Sequence, residues 1–234
     1  MMAPKPVYLL ADSQLLFIKG ADGRPFLQSL REAIDAPDPI AAYIGANNND
    51  EPAYYEMFQQ AMALLGITHC HMIEYGFGHK AKALLESAHV IVIAGGDPKL
   101  GWQRMHENEV PQLLAKKYAE GATIIGISAG AMQLGWQAPE TGNEGQLQLF
   151  DTIRLVPAII GAHDEANNWA TLKQMLLAST SMKRGIGIPF GAGVVCHPDQ
   201  TIEIMRKPVD EFVVKEGAIQ HAILIPGTDK AHQP

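Results

Sequence analysis

The stretch TIIGISAGAMQLG, Thr123 to Gly135, joins an apolar β-branched run to a serine among small residues and then to the start of a helical pattern. A serine in that place is ordinarily a helix cap, because its hydroxyl satisfies an orphan backbone N–H. That reading needs only Ser128 and leaves Gly126, Ala129, Gly130 and Ala131 unexplained. Gly126-Ile127-Ser128-Ala129-Gly130 also fits G-x-S-x-G, which has meaning where a buried strand turns sharply into a helix. The turn leaves no room for side chains beside the serine and lifts its hydroxyl to the edge of the sheet. The N–H of Ala129, at the helix start, then faces a developing oxyanion. Gly95-Gly96, ending the apolar run HVIVIAGG, lets a second backbone N–H approach with no side chain in the way. The spacing therefore predicts Ser128 as a nucleophile, with Gly96 and Ala129 as oxyanion donors.

Outward from this stretch, strands and helices alternate. PVYLLAD (6–12), PIAAYIGAN (39–47), THCHMIEY, HVIVIAGG (89–96) and ATIIGIS read as strands. RPFLQSLREAI (24–34), PAYYEMFQQAMALLG, HKAKALLES and VPQLLAKKYAEG read as helices; Gly66 and Gly121 end two of them. Continuous apolar strands separated by helices predict an α/β fold, a mostly parallel sheet flanked by helices on both faces. Ligands of such sheets sit beyond the carboxyl ends of the strands, where AGGD and GISAG fall. GVVCHPDQTIEIM and DEFVVKEGAIQHAILI read as C-terminal β-hairpins, the second turning at Glu216-Gly217. Nothing resembles a linker or repeat, so one domain over residues 1–234 is expected.

Composition narrows the function classes. The chain has 234 residues, 47% hydrophobic and 18% charged, with net charge −7 and no basic stripe. That disfavours nucleic acid and anionic membranes as partners. No apolar run reaches the roughly 18 residues of a membrane span. MMAPKPVYLLADSQ lacks the apolar core and cleavage site of a signal peptide, so a cytoplasmic location is expected. Cys70 and Cys196 lie in strand-like runs and read as buried free thiols. His69 and His71 share a strand face around Cys70, but no further ligand stands at metal-site spacing. Metal and organic cofactors are not required.

A nucleophilic serine needs a base. Of nine histidines, His163 stands out because it ends the apolar segment LVPAIIGA; a surface loop histidine is the alternative. Here a resemblance decides. VIVIAGGD, IGISAGA, FDTIRLVPAIIGAH and GIGIP (185–189) resemble, in order, motifs of the serine peptidase family of α-aspartyl dipeptidase (dipeptidase E) and cyanophycinase. Those pieces span about Val90 to Pro189. The resemblance implies a class I glutamine amidotransferase-like fold with a flavodoxin-like core, Ser128 as nucleophile, His163 as base and, by analogy, a homodimer. For the triad acid it points to the segment Glu140-Thr141-Gly142-Asn143-Glu144, with Glu144 first and Glu140 second. Cyanophycinases carry a Glu after the GIGI strand, where this chain has Pro189-Phe190.

The chain departs from the family after His163. Arginines that hold a substrate carboxylate there are replaced by Asp164-Glu165-Ala166-Asn167-Asn168-Trp169. Asp97, Asp164, Glu165, Asn167 and Trp169 are accordingly the expected substrate-binding residues. The alternative is that Asp164 and Glu165 point to water and a more distant arginine, such as Arg104 or Arg184, holds the carboxylate. The expected function is a serine hydrolase cleaving a small peptide or isopeptide-like amide that is neither an aspartyl dipeptide nor cyanophycin. The alternatives are another amide or ester hydrolase on the same scaffold and an inactive binding protein.

Overall fold

The buried strands read as continuous apolar runs because each feeds two cores. In the segment Val90–Ile93, Val90 and Val92 pack into one core and Ile91 and Ile93 into the other. Tyr8 and Leu10 against Val7 and Leu9, and Ala41 and Tyr43 against Ala42 and Ile44, divide the same way. This is the two-residue period of a strand covered on both faces.

The structure, a computed structural model, describes residues 3–19, 28–32, 34–141 and 146–227. In chain order it runs β1 (Val7–Leu10), α1 (Gln28–Glu32), β2 (Ile40–Ile44), α2 (Pro52–Leu64), β3 (His69–Ile73), α3 (His79–Ser87) and β4 (Val90–Ile93). Then come α4 (Pro98–Glu107), α5 (Val110–Ala119), β5 (Thr123–Ile127), α6 (Ala129–Leu134), β6 (Gln137–Thr141) and β7 (Leu147–Asp151). The chain continues through β8 (Ile159–Ala162), α7 (Ala170–Ala178), β9 (Arg184–Ile188), β10 (Gly193–Cys196), β11 (Ile202–Met205), β12 (Val209–Lys215) and β13 (Ala218–Leu224). The main sheet has seven strands in the order β11-β10-β1-β5-β4-β2-β3, parallel from β1 to β3. The first expected hairpin, β10–β11, extends it antiparallel beyond β1. The second, β12–β13, turns at Glu216-Gly217 and joins another sheet, ordered β13-β12-β9-β8. Helix α2 packs Phe58, Ala61 and Met62 on one face of the main sheet. Helices α3 to α6 cover the other, in a core that also takes Ile160, Ile186 and Ile188 of the second sheet. The fold is thus α/β with a mostly parallel central sheet. Helix α4 and the β6–β7 hairpin were not legible beforehand.

Register positions the site. Leu10 pairs with Ile127, and Ile93 pairs with Gly126. One residue beyond Leu10, Ala11 is therefore level with Ser128, and two residues beyond Ile93, so is Gly95. Three strand ends converge there, as expected for a ligand site of a parallel sheet.

One element of the fold is pH-sensitive. His89 leads into β4, and its Nδ1 accepts the Ile40 N–H at 3.1 Å. Burial, reinforced by the charges of Lys117 and Lys5, holds this imidazole below its usual value of 6.5. The unfolded chain then binds a proton that the native chain resists, so stability must decline as pH falls below about 6.5 and level off under the native value. His89→Gln should flatten this part of the Tm profile between about pH 7.5 and 5. An identical slope in both proteins would exclude His89 as its source.

Candidate active site

Ser128 follows β5 with φ 50° and ψ −110° and makes no capping bond to α6. A non-glycine residue at positive φ costs about 1–3 kcal/mol and persists only where its surroundings over-determine it. They do so here. The Ser128 N–H donates to Leu10 O at 2.8 Å. A Cβ on Gly126 would meet the backbone of Gly130 and Ala131 at 2.6 Å, and one on Gly130 would meet Ile93 O at 2.2 Å. The two motif glycines therefore let α6 fold back against its own strand and against the end of β4.

The serine Oγ lies 2.8 Å from His163 Nε2. His163 follows β8, so the two side chains come from different sheets. Its φ is also positive, 42°, and its N–H donates to Ile188 O at 2.9 Å. Close packing brings the sheets together: a Cβ on Gly135, just after α6, would stand 2.8 Å from Ala158 O.

A buried amide pair ties the glycine loop to the elbow helix. Asn47 Nδ2 donates to Gln133 Oε1 at 3.0 Å, and Gln133 Nε2 returns a bond to Asn47 Oδ1 at 2.8 Å. The same groups donate to Ala94 O and Pro98 O, on either side of Gly95-Gly96. Gly95 abuts the nucleophile, its Cβ position 3.3 Å from Ser128 Cβ. Gly96 has φ 134°, and a Cβ there would collide with Asn47 O at 2.2 Å, so only glycine fits.

Ser128 and His163 open on a cavity of about 370 Å³ that Gly95 and Gly96 also line. Sequence reasoning did not find its walls. Tyr43, Tyr54, Met57 and Phe58 come from β2 and α2, Asp12 from the end of β1, and Phe190 from the loop after β9. The available signal was position: Asp12 stands two residues past the end of a parallel strand, like the glycine loop after β4. Tyr43 accepts a hydrogen bond from Asn48 Nδ2 at 2.9 Å, and burial pushes its hydroxyl up to about 12, so it stays neutral.

Residues 24–204 match the model of peptidase family S51. The chain belongs to peptidase family S51. It is a serine peptidase, and a serine-histidine pair at hydrogen-bond distance is what such chemistry needs. Two solved structures share the fold. A peptidase from an acI-B1 Actinobacterium is 17% identical with a TM-score of 0.71, over 96% of this chain and 95% of that one. A Peptidase E protein from Listeria monocytogenes EGD-e is 16% identical with a TM-score of 0.63, over 87% of this chain and 99% of that one. No curated protein matches the sequence.

This S51 peptidase places the expected substrate-binding residues elsewhere than in the cavity. Asp97 caps α4, accepting the Lys99 and Leu100 N–H groups at 2.9 and 3.0 Å. Asp164 accepts Asn167 Nδ2 at 2.9 Å and the Thr171 N–H at 3.3 Å, so both residues are occupied in the turn before α7. Glu165 accepts the Phe190 N–H at 3.0 Å. Trp169 is only 3% exposed, packs on Gly187 and donates to Asp210 at 2.8 Å. None of the five lines the cavity holding the serine, and local hydrogen bonds are the reason. Asp164 lines a neighbouring cavity with His163 and Thr171. Arg104 donates to Ala46 O and Asn49, and Arg184 pairs with Glu211, so neither lines the cavity.

Glu144, the first choice for the triad acid, lies outside the described residues. Glu140, the second, pairs with Lys99 at 2.7 Å. Among the described residues no carboxylate bonds the far nitrogen of His163. Elsewhere, Cys196 is buried and its thiol pushed up to about 12 by that burial, while Cys70 is half-buried; both are free. His69 stands 3.3 Å from Asp38, and among the described residues no His, Cys, Asp and Glu cluster could hold a metal. No helix among the described residues is long and apolar enough to cross a membrane.

Proposed function

We propose that the protein hydrolyses a small peptide or related amide through Ser128 and His163. The observation that carries this reading is the 2.8 Å separation of Ser128 Oγ and His163 Nε2 at the mouth of a cavity. Ser128 attacks the carbonyl carbon while His163 takes its proton. The tetrahedral oxyanion is held by the N–H groups of Ala129, at the first turn of α6, and of the Gly95-Gly96 loop. His163 then protonates the departing amine. Water, deprotonated by the same imidazole, releases the acyl group from the serine. Glu144 is proposed to orient His163, since the segment after Glu140 is where the family resemblance puts the acid. The substrate is not an aspartyl dipeptide, because no arginine or lysine lines the cavity among the described residues.

A fluorophosphonate probe tests the reading, since only an activated serine reacts with it. The native protein should label at Ser128, and labelling should fall by at least about 100-fold in His163→Ala. An unlabelled native protein would favour the binding-protein alternative. Labelling that His163→Ala does not diminish would remove the histidine from the mechanism.

A further inference from the structure

The cavity beside Ser128 has a composition that the catalytic pair does not require. Leu16, Tyr54, Met57, Phe58 and Phe190 wall the cavity of about 370 Å³ that Ser128 enters. Roughly 150 Å³ of apolar cavity suffices for a benzene ring. Three of these residues are also among the few large hydrophobic side chains left exposed: Tyr54 at 52%, Met57 at 37% and Phe190 at 48%. Exposed apolar side chains gathered at one cavity mark a ligand surface.

Charge is already accounted for. Asp12 is the one carboxylate among the described lining residues, and its two oxygens accept the N–H groups of Gln14 and Gly191. Arg206 and Lys207 donate to Gly191 O and Phe190 O, and neither lines the cavity. A carboxylate placed there would lose its hydration without gaining a cationic partner, and an ammonium group would have to share Asp12 with the two backbone N–H groups that already hold it.

We infer that the residue on the acyl side of the scissile bond is neutral and apolar, its side chain occupying the space between Tyr54, Met57, Phe58 and Phe190. This rests on Ser128 being the nucleophile and assigns to the acyl side chain the cavity that the serine shares with Gly95 and Gly96. Burial of an aromatic or branched aliphatic group against these walls supplies the binding energy. Among the described residues the walls contain no cation that would anchor a carboxylate, and the one carboxylate, Asp12, is already held by two backbone N–H groups.

The test is competition at Ser128. Aminoboronic acids carrying the side chain of Phe, Leu, Asp or Lys are titrated against fluorophosphonate labelling. The Phe and Leu compounds should protect at concentrations at least about 100-fold lower than the Asp and Lys compounds. Met57→Arg, at a partly exposed position, should narrow the Phe-over-Asp preference by at least about 10-fold. Equal or better protection by the Asp or Lys compound overturns the apolar assignment and leaves the nucleophile standing. Failure of the native protein to label overturns both. A preference for Phe that Met57→Arg leaves unchanged removes this cavity as its source.

Discussion

Ser128→Ala should lower kcat by about 10⁶-fold, the scale set by removing the nucleophile of a serine protease triad. Stability should change little, with Tm within about 2 °C of the parent, because the hydroxyl makes a single side-chain bond, to His163. The backbone strain at φ 50° is borne equally by alanine. His163→Ala should cost nearly as much, and the double variant no more than either single one, because the two groups act as a unit. Hydrolysis of the best available substrate, followed alongside thermal melts, checks this. A Ser128→Ala protein that retains activity at any substantial fraction of the parent rate would end the serine mechanism.

Gly130→Ala should be among the most damaging single-methyl changes in the molecule. The added carbon would sit 2.2 Å from Ile93 O and 3.0 Å from Ala94 O. Both obstacles are backbone, so relief requires α6 or the end of β4 to move. Overpacking of this kind costs about 1–3 kcal/mol or more, a fall in Tm on the order of 5–10 °C for a chain of this size. The movement would also separate Ser128 from the Gly95-Gly96 loop, so kcat should fall in whatever protein remains folded. Gly95→Ala is the contrast. Its methyl would lie 3.3 Å from Ser128 Cβ and 4.0 Å from Oγ. The fold should survive while the methyl crowds the nucleophile. Equal Tm values for Gly130→Ala and the parent would show that the elbow is looser than its geometry indicates.

The sheet and the elbow were legible in the sequence because both are local. A strand covered on two faces must be apolar at every position, as Val90 to Ile93 are. A serine forced to positive φ beside a helix needs neighbours without bulk, as Gly126, Ala129 and Gly130 are. The place of His163 was legible for a related reason: the apolar strand before it marks a sheet edge, and the family resemblance selected it among nine histidines.

Other features depended on partners distant in the chain. LVPAIIGA and GIGIP have the composition of main-sheet strands, yet they pair with each other and with β12 in a second sheet. Strand composition reports burial and is silent about the neighbour. Asp164 and Glu165 stand beside the histidine in sequence, but the hydrogen bonds that hold them, from Asn167, Thr171 and Phe190, and their absence from the lining of the serine's cavity were visible only in three dimensions. Trp169 looked like a binding surface and is buried against Gly187, 18 positions along the chain. The sequence by itself determined the parallel core and the strained serine, and with the family resemblance it singled out the histidine that meets it. Tertiary structure alone decided what surrounds them, because the cavity walls come from α2, the end of β1 and the loop after β9. The pattern of one segment cannot specify a surface that several distant segments build together.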